Sequence, residues 1–88
     1  MSRTKAPDGT NNLCGKQISK QRMDRGLSQR QLADALQRLG MDVGKNTIQR
    51  IESGERYVPD YELVFFAKAF GIEISELLIP KDEIFTIL

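Results

Sequence analysis

The sequence has no histidine and a single cysteine, Cys14. With one cysteine no intramolecular disulfide is possible, and a reducing compartment such as the cytoplasm suits the chain. Zinc sites are built mainly from cysteine and histidine, so their scarcity argues strongly against a zinc centre. We therefore expect neither a metal nor a cofactor in this protein.

Long apolar segments are also absent. No uninterrupted apolar run approaches the ~18 residues that indicate a membrane-spanning helix. The polar start MSRTKAPDGTNN lacks the apolar core of a secretory signal peptide. We expect a disordered polar leader over residues 1–12. The 88 residues suffice for one small domain with a single core.

The groups that usually carry out catalysis are missing as well. The sequence shows no histidine base, no glycine-rich phosphate loop, and no nucleophile with a base in an obvious arrangement. Cys14 lies four residues before Ile18, on the apolar side of the first predicted helix. We interpret it as a small core residue rather than a reactive thiol. We predict that the protein is not an enzyme and has no catalytic residues.

What the sequence does contain is frequent helix punctuation. Strand signals are almost absent, and apolar residues recur every three or four positions between glycines. We predict an all-α domain of five short helices. The first runs from about Leu13 to Arg25, the second follows Ser28 and ends at Gly40, the third ends at Gly54, the fourth runs from Tyr61 to Phe70, and the fifth follows Ser75.

Two helix starts have identifiable caps. Ser28 is followed three residues later by Gln31, which is the capping-box pattern. Asp60, after Pro59, is the predicted N-cap of the fourth helix. The second and fourth helices carry most of the predicted core. Those residues are Leu32, Ala35, Leu36 and Leu39, and then Leu63, Val64, Phe66, Ala67 and Phe70.

The charges divide the chain into two unlike parts. Residues 1–56 hold 11 lysines and arginines against 6 aspartates and glutamates, a net charge of +5. Residues 57–88 hold 2 against 6, a net charge of −4. This division suits a module that turns one side toward an anionic partner, although an ordinary solvated surface would also permit it.

The stretch GKNTIQRIESGE, residues 44–55, predicts a short helix with two unlike sides. Ile48 and Ile51 fall on one side, and the other side is polar. Alone, such a polar face is usually only solvated. Here it follows a capped helix and a glycine-containing connection, which together describe a helix-turn-helix. In that motif the second helix enters the DNA major groove, where arginine or lysine reads guanine and asparagine or glutamine reads adenine.

Two segments, GLSQRQLADALQRLG and NTIQRIESGER, closely resemble the Xre/Cro-cI-like helix-turn-helix of phage repressors and bacterial regulators. The similarity extends from about Cys14 to Leu78 and includes LVFFAKAFGIEISELL. The resemblance implies a lambda-repressor-like DNA-binding domain over residues 13–79, with helices 2 and 3 as the motif. We expect a sequence-specific transcriptional regulator of repressor type that binds a palindromic operator as a homodimer.

The resemblance also implies roles for individual residues. The base-reading residues are Lys45, Asn46, Gln49 and Arg50. The phosphate-binding residues are Gln29, Ser28, Thr47 and Arg56, and Arg22 with Glu52 matches a partly buried ion pair between helices 1 and 3. Met41 and Asp42 lengthen the region after helix 2, which suggests a subgroup with an extended second helix. Gln21 stands where leucine is usual, and we expect Met23 to take over its packing.

Two questions stay open at this point. The apolar tail, residues 80–88, could cover the domain's own core or form part of a dimer seam through Ile84, Phe85, Ile87 and Leu88. The whole chain could instead be a protein-interaction module, such as an antitoxin or adaptor. In that case the acidic, apolar C-terminal part would bind a protein partner.

Overall fold

The computed structural model describes residues 5–6 and 8–78, and in this part of the chain every regular element is helical. The helices are α1 (Gly15–Asp24), α2 (Gln29–Arg38), α3 (Lys45–Glu52), α4 (Asp60–Phe70) and α5 (Ser75–Leu78). The predicted all-α class is therefore confirmed. None of these helices combines the length and the hydropathy needed to span a lipid bilayer.

The helix ends follow from local chemistry. Ser28 Oγ accepts from the Gln31 N–H at 3.0 Å, and Gln31 Oε1 accepts from the Ser28 N–H at 2.8 Å, so the predicted capping box is present. α4 ends at Gly71, whose φ of 68° is the left-handed conformation that glycine adopts easily. The predicted cap of α4 is wrong by one residue. Pro59 occupies the N-cap position, and Asp60 begins the helix.

The core fills the space between the helices. α1 packs against α3, α4 and α5, and α2 packs against α3 and α4. The largest fully buried side chains are Phe66, Ile18, Leu32, Leu36, Ile48, Ile51 and Leu77. Met41 and Val43, from the connection between α2 and α3, are also buried. The connection therefore contributes to the core instead of looping into solvent.

Three residues expected to pack inside lie at the surface. Met23 is 60% exposed, Leu39 43% and Val64 38%. Leu63 and Phe66 lie on the buried face of α4, and Val64 lies at the edge of that face. Leu39 lies just after the last residue of α2, outside the part of the helix that packs on the core.

Met23 does not take over the packing expected at Gln21, because its side chain is exposed, and Gln21 itself makes polar contacts. Its carbonyl and its side-chain oxygen both accept hydrogen bonds from Arg25 Nη1, at 2.8 and 2.6 Å. Arg25 Nη2 donates to the Phe70 carbonyl at 2.8 Å, and the guanidinium lies 4.9 Å from the centre of the Phe70 ring. A polar and cation–π bridge thus joins the ends of α1 and α4.

The chain before α1 differs from the expected leader. Residues 8–12 lie against the loop that follows α3, and Asn12 is only 9% exposed. Asn11 and Asn12 donate hydrogen bonds to backbone carbonyls of that loop, and the domain boundary at residue 12 stays a prediction. The apolar tail, residues 80–88, and its two interpretations lie outside the described residues.

Candidate nucleic-acid interface

α3 is a two-sided helix, as its sequence indicates. Ile48 and Ile51 are fully buried and hold the helix against the domain. The four residues predicted to read bases, Lys45, Asn46, Gln49 and Arg50, are all exposed. Because the buried and exposed residues alternate with the helical period, the polar side chains form one outward face. That face can enter a groove without disturbing the core.

The connection between α2 and α3 fixes how the two helices meet. The Met41 N–H donates to the Leu36 carbonyl at 2.9 Å, and Gln37 Nε2 donates to the Val43 carbonyl at 2.7 Å. α2 itself has 10 residues, the same number as α1. The structure therefore places Met41 and Asp42 in the connection and not in an extended second helix.

A bidentate ion pair joins α1 to α3. Arg22 Nε donates to Glu52 Oε2 at 2.7 Å, and Arg22 Nη2 donates to Glu52 Oε1 at 3.0 Å. The two side chains are 13% and 8% exposed. Arg22 Nη1 also donates to the Leu27 carbonyl, just before α2. Hydrogen bonding to Glu52 raises the pKa of Arg22 above its usual value, so the guanidinium stays charged.

The same carboxylate holds Gln29, the first residue of α2. Gln29 Nε2 donates to Glu52 Oε1 at 3.1 Å, and the glutamine is half-buried. Glu52 thereby links α1, α2 and α3 at one point. Of the other residues predicted to bind phosphate, Ser28 is exposed and already caps α2, and Thr47 is half-buried in the first turn of α3.

The structure gives Arg56 a different setting from the other predicted phosphate ligands. Its Nη1 and Nη2 atoms donate to the two carboxylate oxygens of Glu62 at 2.7 and 3.2 Å. These hydrogen bonds raise the pKa of Arg56. A guanidinium already paired with a carboxylate is less available to a phosphate. Sequence analysis missed Glu62 as the partner, because the two residues lie on opposite sides of an irregular loop.

Sequence analysis also missed the contacts that Asn11 and Asn12 make with the end of α3. The Asn11 N–H donates to the Gly54 carbonyl at 2.9 Å, and Asn11 Nδ2 donates to the Glu55 carbonyl at 2.8 Å. Asn12 Nδ2 donates to the carbonyls of Ile51 and Arg56 at 3.0 and 2.8 Å. The available signal was local: asparagine is a favoured residue just before a helix.

The described residues contain no group of three or more histidine, cysteine, aspartate or glutamate side chains that could hold a metal ion. Cys14 is 2% exposed, and burial raises the pKa of its thiol to about 11. The thiolate is the reactive form of cysteine, so this thiol is inert at neutral pH. Its position supports the interpretation of Cys14 as a core residue.

Comparison with known proteins agrees with this geometry. A model of the helix-turn-helix family matches residues 18–77, more than half of the chain. No curated protein matches the chain. The match includes α2, the connection and α3, together with most of the buried core residues. The chain therefore belongs to the Xre/Cro-cI-like helix-turn-helix family, a family of DNA-binding regulatory domains and not of enzymes.

Proposed function

We propose that this protein is a sequence-specific, double-stranded DNA-binding transcriptional regulator of repressor type that works in the cytoplasm. The observation that carries the proposal is the outward face of α3. Its four exposed residues are the side-chain types that read base edges, and Ile48 and Ile51 fix the helix behind them. A major groove is wide enough to admit such a helix.

Residues at different positions of α3 would contact different bases. Lys45 and Asn46 lie in the first turn, the part of a recognition helix that meets base edges first. The Asn46 amide can bond both N6 and N7 of an adenine, and the Arg50 guanidinium can bond both O6 and N7 of a guanine. Gln49 can read adenine or donate to a phosphate. Each such paired contact discriminates against a wrong base by about 1–3 kcal/mol.

Phosphate contacts would set the orientation of α3 in the groove. Gln29 is the first residue of α2, where backbone N–H groups and the helix dipole favour an anion. Glu52 holds its side chain beside α3, so a phosphate bound there would be placed relative to the reading face. Ser28 and Thr47 complete the proposed set. We assign Arg56 mainly to its pair with Glu62.

A single short helix reads few base pairs, so we propose a homodimer on a palindromic operator. α3 has 8 residues. Two copies related by a two-fold axis would place their recognition helices in half-sites about one turn, ~34 Å, apart. Linking two weak contacts in this way multiplies the affinity without adding new ones.

The experiment that tests the proposal is selection from a random pool of DNA duplexes at moderate salt, followed by sequencing of the bound fraction. We expect an enriched palindrome with half-sites about one helical turn apart. Binding without enrichment, weakening steeply as salt rises, would contradict sequence-specific reading, because backbone contacts alone behave that way. Capture of a protein partner together with no DNA binding at low salt would favour the antitoxin or adaptor alternative.

A further inference from the structure

Residues 8–12, which we name the N-terminal clamp, close the end of the proposed recognition helix. Asn11 and Asn12 together donate four hydrogen bonds to backbone carbonyls at the exit of α3. The acceptors are the carbonyls of Ile51, Gly54, Glu55 and Arg56, at distances between 2.8 and 3.0 Å. Of these acceptors only Ile51 belongs to α3, and its carbonyl also accepts from the Gly54 N–H at 3.1 Å; the other three lie in the loop that follows the helix.

Asn12 also connects this exit to the start of α1. Its Oδ1 accepts from the Gly15 N–H at 2.8 Å, while its Nδ2 donates to the Ile51 and Arg56 carbonyls. One buried side chain thus joins the first residue of α1 to the last turn of α3. The two backbones are very close here: a Cβ atom on Gly15 would collide with the Ile51 carbonyl oxygen and lie 2.8 Å from Asn12 Oδ1.

The clamped turn carries half of the proposed reading face. Gln49 and Arg50 lie in the second half of α3, and their carbonyls accept from residues of the same exit loop. Such a short helix is marginal alone and depends on its surroundings for a fixed shape. Base recognition requires side chains held within about 0.5 Å of their working positions. Lys45 and Asn46 lie in the first turn, which the α2–α3 connection holds instead.

We propose that Asn11 and Asn12 are positioning residues for DNA recognition: by holding the last turn of α3, they set the directions of Gln49 and Arg50. The inference rests on the proposed function. A positioning role differs from a purely structural role in its expected effect on base preference. Loss of the clamp should weaken the base preference set by the last turn of α3 and leave the preference set by its first turn unchanged.

Two variants isolate the clamp. Asn12→Asp keeps the oxygen that accepts from the Gly15 N–H and removes both donors to the carbonyls of Ile51 and Arg56. Asn11→Ala is neutral and removes only the side-chain donor to the Glu55 carbonyl. The added charge of Asn12→Asp lowers affinity for every duplex alike, because it repels phosphates without regard to sequence. Base preference, and not affinity alone, is therefore the decisive readout.

The experiment first selects the preferred duplex with the wild-type chain. Arg50→Ala and Lys45→Ala then identify which base pairs each turn of α3 reads. Dissociation constants for duplexes changed at one base pair are measured at a temperature where circular dichroism shows every variant folded. We expect Asn12→Asp to reduce the preference at the Arg50 base pairs about tenfold, and Asn11→Ala about threefold, with the Lys45 base pairs unaffected.

A matched control separates positioning from stability. Leu77→Val removes buried volume from α5, which packs on α1, and it leaves the hydrogen bonds of Asn11 and Asn12 in place. We expect it to lower the stability of the fold and to leave base preference at wild-type values. If Asn12→Asp does not fold, the base preference of Asn11→Ala at the Arg50 base pairs tests the positioning role instead.

Two results would overturn the inference, and they are distinguishable. A wild-type chain that selects a sequence, with clamp variants that keep its full base preference, overturns the positioning role alone. A wild-type chain that selects no sequence overturns the proposed function and the positioning role together.

Discussion

At the scale of single residues, exposed and buried charges in and beside α3 have different roles. Arg50 is exposed on the outward face, so it contributes little to the fold. Arg22 and Glu52 are nearly buried and connect three helices through one carboxylate. We propose that the first kind of residue binds DNA and that the second fixes the positions of the binding residues.

Replacing Arg50 with alanine should relax sequence specificity without unfolding the protein. We expect a loss of about 1–3 kcal/mol of discrimination at one base pair in each half-site. The free energy of unfolding should change by less than about 0.5 kcal/mol, since the side chain is exposed. Titration of duplexes changed at single base pairs checks the first expectation and thermal unfolding the second. An unchanged base preference would remove Arg50 from the reading set.

Removing one partner of the partly buried ion pair between Arg22 and Glu52 should be costly. Arg22→Ala leaves the Glu52 carboxylate buried without its cation, and we expect a loss of about 3–5 kcal/mol in the free energy of unfolding. Urea unfolding measures it. Lys20→Ala is the control, because its pair with Asp24 is exposed at both ends and should contribute little. A loss for Arg22→Ala no larger than the control's would show that the pair is unimportant.

The buried thiol gives a prediction about pH. Burial raises the pKa of Cys14 to about 11 from an ordinary value of 9.0, so the unfolded chain releases this proton at lower pH than the folded one. The contribution of Cys14 to stability is complete below pH 9 and is lost as pH rises from about 9 to about 11. A Cys14→Ala variant should lack this component in urea unfolding followed against pH. An identical pH profile for both proteins would contradict the prediction.

At the scale of helices, the start of α2 is secured by reciprocal hydrogen bonds. Ser28→Ala removes the acceptor for the Gln31 N–H and should lower the free energy of unfolding by about 1 kcal/mol. Gln31→Ala removes the other half of the box and should have a smaller effect. Ser53→Ala, at an exposed position after α3, is the comparison variant. The Ser53 hydroxyl donates to the Arg50 carbonyl and to Glu55, so equal losses for Ser28→Ala and Ser53→Ala would show that the box adds no more than such exposed hydrogen bonds.

At the scale of the whole molecule, the two charge regions should make DNA binding strongly dependent on salt. Residues 1–56, the part of the chain that contains α3, carry +5, and residues 57–88 carry −4, so we expect phosphate to be attracted to the first part. A dimer that neutralises about 6–10 phosphates should lose about 10³–10⁵ in affinity between 50 and 200 mM salt. Lys45→Ala, at the start of α3, should flatten this dependence, whereas Lys68→Ala in α4 should not. Equal slopes for both variants would contradict the proposed orientation.

Sequence analysis was most accurate where the controlling interactions are local. The five helices, the Ser28–Gln31 capping box and the two sides of α3 depend on residues at most a few positions apart. Periodicity and capping are therefore visible in the sequence itself. The family also follows from such local patterns, since its motif is two adjacent helices and their connection.

Only the tertiary structure decided what depends on how the helices pack. Met23 looked available for the core and is exposed, and at this end of α1 it is Arg25 that contacts Phe70 of α4. Arg56 looked available for phosphate and is paired with Glu62. Asn12 looked like part of a loose leader, yet it bonds a carbonyl 44 residues away. Local pattern determined the helices and the face of α3. Packing brought together the distant side chains and backbone groups that contact α3.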